Sequence, residues 1–173
     1  MRKLFIASIA SLFISTSAFA EDIKIGIILG FTGPIESLTP AMAAGAEAAI
    51  AEVSASGQLL SGSTVTAIRA DSTCIDSAVA SANAEKLITA DKVHGIMGAD
   101  CSGVTGAILA NVAMANGMVM ISPSATSPAL STAEDNGLFF RTAPSDARQG
   151  AIMSNVLMDK GITSVAVSYT NND

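Results

Sequence analysis

Two knots of small hydroxyl residues stand where apolar runs end. "VHGIMG" leads into "GADCSGVTGAI" (98–108), and "GMVMI" leads into "ISPSATSPAL" (121–130). A hydroxyl in such a place can cap a helix, attack a carbonyl or hydrogen-bond a small polar ligand. Ser102 stands just before "GVTGAILANVA", at or near a helix start. The first amides of a helix have no partner within it, and the dipole there favours an anion by about 0.3–1 kcal/mol. Ser102 therefore either seats a carboxylate or simply caps its own helix. Pro123 and Pro128 bracket Ser124, Ala125, Thr126 and Ser127. Each proline fixes its own φ and biases the preceding residue towards an extended form. The stretch cannot readily prolong a strand or become a helix. Thr126 is left to offer a hydroxyl and an N–H, and Ser124 a carbonyl. A plain solvated turn would have much the same composition.

A serine nucleophile needs a base in reach and a third group to orient that base. His94 is the one histidine, and it falls near the start of its strand, at the opposite sheet edge. There is no G-x-S-x-G elbow and no G-x-G-x-x-G after the first strand. A hydrolase using Ser102 or Ser124 is thereby disfavoured, as is a dinucleotide site. Asp71, Asp76 and Asp100 lie near the same rim, suited to a ligand ammonium or to the loop around the cysteines. They form no recognisable metal pattern, and no metal or cofactor is expected.

The bulk of the chain narrows the class. "MRK", an apolar run and Ala18-Phe19-Ala20 before Glu21 read as a secretory signal peptide over 1–20. The run is too short for a membrane span. Export to a bacterial periplasm follows. The chain has 173 residues and a formal net charge of −6. An acidic surface without basic stripes repels nucleic acid phosphates. Cys74 and Cys101 are an even pair in an exported chain, which favours a disulfide over a redox or zinc site.

The elements that must position these residues alternate. Strands are predicted over 23–30, 63–71, 92–98 and 118–122, a short one within 138–144, and a last one over 164–169. Helices are predicted over 41–56, 74–91, 102–117 and 145–161. Asp76 or Ser77 would cap the second, and Val79, Leu87 and Ile88 would give it an apolar stripe. Ser145 or Asp146 would cap the last. Strand–helix order with short connections means an α/β fold, a doubly wound parallel sheet. In such sheets ligands bind beyond the carboxyl ends of the strands, and both hydroxyl knots lie there.

The stretches "IKIGIILGFTGP", "GAEAAIAEV", "DSTCIDSAVASANAEKLI", "VHGIMGADCSGVTGAI", "ISPSATSPAL" and "FFRTAPSDARQG" resemble the leucine/isoleucine/valine-binding family of periplasmic solute receptors for ABC transporters. They run in family order, and Cys74 and Cys101 fall where members bridge two cysteines. The resemblance implies a two-lobed fold, monomeric when full length, that closes on a small amino acid and delivers it to a membrane permease. Ser102 would hold the ligand carboxylate. Ser124, Ala125 and Thr126 would share the work: Thr126 at carboxylate and ammonium, the Ser124 carbonyl at the ammonium. Leu38 stands where relatives often carry an aromatic over the ligand, which leaves the ligand's side-chain class open. Members are far longer. Residues 21–143 are therefore expected to be an incomplete first lobe and 144–173 the start of a second, in a fragment that binds weakly or not at all alone. The alternative is a sensory module of the same fold reporting to a receptor.

Overall fold

The computed structural model describes residues 21–59 and 62–169. The signal-peptide reading over 1–20 lies outside them. Five parallel strands form one sheet in the order β2-β1-β3-β4-β5. They are β1 (Asp22–Leu29), β2 (Thr64–Asp71), β3 (Gly95–Gly98), β4 (Met120–Ser122) and β5 (Phe139–Arg141). The helices are α1 (Thr39–Ala55), α2 (Ser77–Thr89), α3 (Ser102–Ile108), α4 (Met114–Asn116) and α5 (Asp146–Asp159). A π-turn (Leu109–Ala113) joins α3 to α4, where the sequence predicts one uninterrupted helix. No side chain in the structure explains that turn.

Alternation along β1 builds the two faces. Ile27 and Leu29 pack with Ala43 of α1 on one side. Ile28 points to the other, into a larger core with Ala80, Ala84 and Leu87 of α2, Val104 and Ile108 of α3, and Met120 of β4. The buried face of α2 is thus Ala80, Ala84 and Leu87, while Val79 is 41 % exposed. Val79 falls outside the expected stripe because it stands about 100° around the helix from Ala80, off the face made by Ala80, Ala84 and Leu87. Gly26 lets α2 approach the sheet: a Cβ there would lie 2.9 Å from a Leu87 methyl. Asp76 caps α2, accepting from the amides of Ala78 and Val79, each at 3.0 Å. At the end of β3, Gly98 adopts φ +137° with no room for a Cβ beside the Ile28 carbonyl, so only glycine fits.

On the α1 face the cover is incomplete. Register aligns Ile27, Met97, Ile121 and Phe140 in one row across β1, β3, β4 and β5. Ile27 is fully buried, Ile121 is 43 % exposed and Phe140 53 %.

The strands predicted over 92–98 and 118–122 begin later than expected, at Gly95 and Met120. His94 sits just before β3, at the amino edge of the sheet. Its Nδ1 accepts from the Lys24 amide at 3.1 Å, which puts the ring proton on Nε2, 3.3 Å from Glu21 Oε1. It is far from both hydroxyl knots in strand position. The strand predicted over 164–169 does not form: these residues have no regular structure, and Val167 and Tyr169 are 81 % and 85 % exposed. A strand exists only by pairing with a neighbour, and no described strand lies beside this segment.

Cys74 and Cys101 are bridged, with Cα atoms 5.2 Å apart. The bond fastens the loop after β2 to the start of α3. A closed loop of 27 residues stabilises a fold by about 3–4 kcal/mol in the chain-entropy model. The double Cys→Ser variant is expected to lose that much in urea unfolding, and a loss below about 1 kcal/mol would contradict the assignment.

Candidate functional site

The strand order changes direction at β1, which has β2 on one side and β3 on the other. Ligand crevices of open α/β sheets lie at that switch point, beyond the carboxyl ends. Four loops meet there, after β1, β2, β3 and β4.

The buried carboxylate of Asp100 ties three of them. Its Oδ2 accepts from the Gly30 amide at 2.8 Å, beyond β1. Its Oδ1 accepts from the Ser72 hydroxyl at 3.1 Å, beyond β2, and from the Cys101 amide at 3.0 Å. Asp100 is 2 % exposed. It is a structural anchor rather than a group on the rim open to a ligand ammonium. Asp71 does similar work at the surface. It accepts from the Thr32 hydroxyl at 2.6 Å and from the Thr73 amide at 2.8 Å. Burial pushes its carboxyl upward, but hydrogen bonds from the Thr32 hydroxyl and from the amides of Thr73, Thr32 and Phe31 outweigh this and hold it below the ordinary value.

The fourth loop is fastened from below. The buried Ser122 hydroxyl donates to the Ala99 carbonyl and accepts from the Ala125 amide at 2.9 Å. The Ser124 hydroxyl donates to the Asp100 carbonyl at 3.0 Å. Arg141, at the end of β5, donates from Nη1 to the carbonyls of Ala125 (3.2 Å) and Ser127 (2.9 Å).

Ser102 and the 124–127 loop come together. The Ser102 Oγ accepts from the amides of Thr126 at 3.1 Å and Ser127 at 3.0 Å. The N-cap of α3 is Cys101, and no side chain caps it. Ser102 therefore does not cap its own helix; it serves the neighbouring loop. The Thr126 amide is consumed by this bond, which corrects the expectation that it stays free for a ligand. The Thr126 hydroxyl donates to Asp146 Oδ2 at 2.9 Å. Among the described residues the Ser124 carbonyl accepts no hydrogen bond. Ala125 is fully buried. A cleft of about 380 Å³ opens beside Ser102, Gly103, Gly106, Ser127 and Leu130. Leu38 precedes α1 and is 56 % exposed, and it does not line the cleft beside Ser102. Among the described residues no three His, Cys, Asp or Glu side chains gather as a metal would require.

The sequence reading missed Ser122, Arg141 and Asp146 as builders of this site. Arg141 left a trace, a lone cation at the end of an apolar run. Asp146 looked like a cap, but Ser145 is the cap of α5.

Asp100→Asn would set an amide N–H₂ against an N–H donor, or leave a buried donor bare, at about 1–3 kcal/mol in chemical unfolding. Asp71 contributes stability above its unfolded value, near 3.8, and loses it as pH falls through the lower folded value. The gap in stability between wild type and Asp71→Asn is expected to narrow on acidification below that point. A gap independent of pH would contradict it.

A family model described as periplasmic binding protein matches residues 22–173. The Leu/Ile/Val/Thr-binding protein of Salmonella typhimurium is 32 % identical over 158 residues, covering 91 % of this chain and 42 % of its own. The chain thus spans less than half the length of that relative. Among solved structures, the branched-chain amino acid transporter substrate binding protein LivJ of Streptococcus pneumoniae, in complex with isoleucine, superposes with a TM-score of 0.72. It is 32 % identical, and the match covers 81 % of this chain and 39 % of that one. An ABC transporter substrate-binding protein of Desulfitobacterium hafniense in complex with Leu gives 0.68 at 26 % identity, covering 82 % and 40 %. The parallel sheet, the bridged cysteines and these matches agree: the chain belongs to the periplasmic binding protein family.

Proposed function

We propose that this chain carries the part of an exported receptor that grips the head group of a branched-chain or similar small aliphatic amino acid, for uptake through an ABC-transporter permease. One observation carries the reading, the pattern of hydrogen-bonding capacity left over around Ser102. Its oxygen already accepts two amides, so its own hydrogen is left to donate. The amides of Ser102, Gly103 and Val104 stand at the uncapped start of α3. Donors gathered in this way suit a carboxylate. Beside them the chain offers acceptors. The Thr126 hydroxyl spends its hydrogen on Asp146 and keeps its lone pairs. The Ser124 carbonyl is open. Acceptors suit an ammonium. Donors next to acceptors match the two charged ends of an α-amino acid.

The relatives support the ligand class: one holds isoleucine and another leucine. Leu38, beyond β1, is the side chain we assign to the aliphatic part of the ligand. Export rests on the leader over 1–20. Residues 21–143 are assigned to the first lobe, and 144–173 to the start of the second.

Titration of the ¹⁵N-labelled chain with leucine tests this. The amides of Ser102, Gly103, Thr126 and Ser127 are expected to shift together and to saturate. Ser102→Ala, which removes a hydrogen bond to a charged group worth about 1.5–3 kcal/mol, should weaken binding roughly ten- to a hundredfold. Millimolar leucine or isoleucine that leaves these amides unmoved in a folded sample of the full-length protein would sink the reading.

A further inference from the structure

The fold and the leader meet at one residue, Glu21. The leader reading puts the scissile bond between Ala20 and Glu21. The hydrogen bonds of the sheet start at the same place. The Glu21 amide donates to the Ser63 hydroxyl at 3.1 Å, and its carbonyl accepts from the Thr64 amide at 3.2 Å. Its carboxylate Oε1 lies 3.3 Å from His94 Nε2. From Asp22, opposite Thr64, every residue of β1 is in register with β2. At Lys24 the other edge closes too. Its amide donates to His94 Nδ1 at 3.1 Å, and its carbonyl accepts from the His94 amide at 2.7 Å. The Glu21 side chain is exposed, so burial is not the restraint. The restraint is on the backbone, whose donor and acceptor are both taken.

We infer that this fold occludes its own processing site: a leader peptidase cuts the Ala20–Glu21 bond only while the corner of Glu21, Ser63, Thr64 and His94 is open, so removal of the leader precedes closure of the sheet. The inference rests on the leader reading of residues 1–20 and is independent of the ligand. It adds to that reading an order of events. An enzyme that takes its substrate as an extended strand pairs with the strand's own amides and carbonyls. Two or three residues beyond the cut span about 7–10 Å at the rise of a strand. No free chain of that length separates the bond from the sheet. The first residue past the cut is already tied, and the second already belongs to β1. Chain ends commonly fray at little cost. Here fraying of Glu21 frees one residue. Freeing three more parts the start of β1 from β2 and Lys24 from His94. Cleavage of a folded chain then runs through the opened form and slows in proportion to its rarity.

Two precursors separate the outcomes. One is the full chain, residues 1–173, with its disulfide formed. The other carries Glu-Asp-Gly-Ser-Gly-Ser inserted after Ala20. The insertion keeps the residues on both sides of the cut and moves the cut clear of the sheet, while Glu21 keeps its place in the fold. Each is shown to be folded by its amide spectrum and treated with purified leader peptidase in mild detergent. A synthetic peptide of residues 1–30, which has no sheet to join, reports whether the bond after Ala20 is cut at all. The peptide and the folded spacer form are expected to be cut there. The folded natural precursor is expected to be cut roughly tenfold or more slowly than the spacer form, the effect of two or more lost hydrogen bonds. Equal rates for the two folded precursors, both fast, overturn the inference and leave the leader reading intact. A folded spacer form as slow as the natural one also overturns it, since the protection would then not come from the corner. A peptide left uncut after Ala20 removes the leader reading, and the inference falls with it.

Discussion

A carboxylate without a countercharge holds the upper end of this sheet together. Asp100 is buried, and among the described residues no cation pairs with it. It is made tolerable by three donors from three places, Gly30, Ser72 and Cys101. A carboxyl group can be buried when its oxygens are filled in this way. In return it fixes the exits of β1 and β2 and the start of α3 against one another. The neighbouring carbonyls extend the hub. Ala99 takes the Ser122 hydroxyl and Asp100 takes the Ser124 hydroxyl. Cys101 adds the covalent tie to Cys74. Within three residues the chain gathers the loops of β1, β2 and β4 around β3. The position of Ser102 follows from that gathering.

Above the hub, each polar group is used on one side only. The Ser102 oxygen accepts from the loop, which frees its hydrogen. The Thr126 hydroxyl gives its hydrogen to Asp146, which frees its oxygen. Arg141 occupies the carbonyls of Ala125 and Ser127 and leaves that of Ser124 open. A serine or threonine alone has no fixed polarity. A network that commits one side of each hydroxyl gives it one. On the proposed reading, that is how a site made almost wholly of neutral residues would distinguish one charged end of an amino acid from the other.

Much of this was legible in the sequence, for identifiable reasons. Ile-rich β1, the glycines at φ > 0 past α1 and α4, and the Asp76 cap are local signals, and the alternation of strand and helix gave the parallel sheet. The pairing of Ser102 with 124–127 followed from both lying beyond strand ends. What stayed hidden were contacts across long sequence separations. Asp100 meets Gly30 across 70 positions, and Arg141 reaches back 14 and 16 to its carbonyls. Nothing in a linear pattern states which of several aspartates turns inward. The place of the Ser102 hydroxyl beside the 124–127 loop was legible but not its partner. Its oxygen faced two amides of the next loop rather than its own helix.

The last thirty residues show why local and non-local structure part company. The sequence around α5 carries its own instructions: Ser145 caps it, and each backbone bond closes within four residues. It forms although none of its residues is buried, and Ile152, Met153 and Val156 remain between 42 % and 53 % exposed. Residues 164–169 carry equally clear instructions for a strand, alternating and β-branched, yet they remain irregular. A helix satisfies its amides from within; a strand needs a second chain segment at about 4.8 Å. The sequence pattern states which face such a segment would bury. It cannot supply the neighbour, so periodicity here predicts a preference and the structure reports whether that preference has been met.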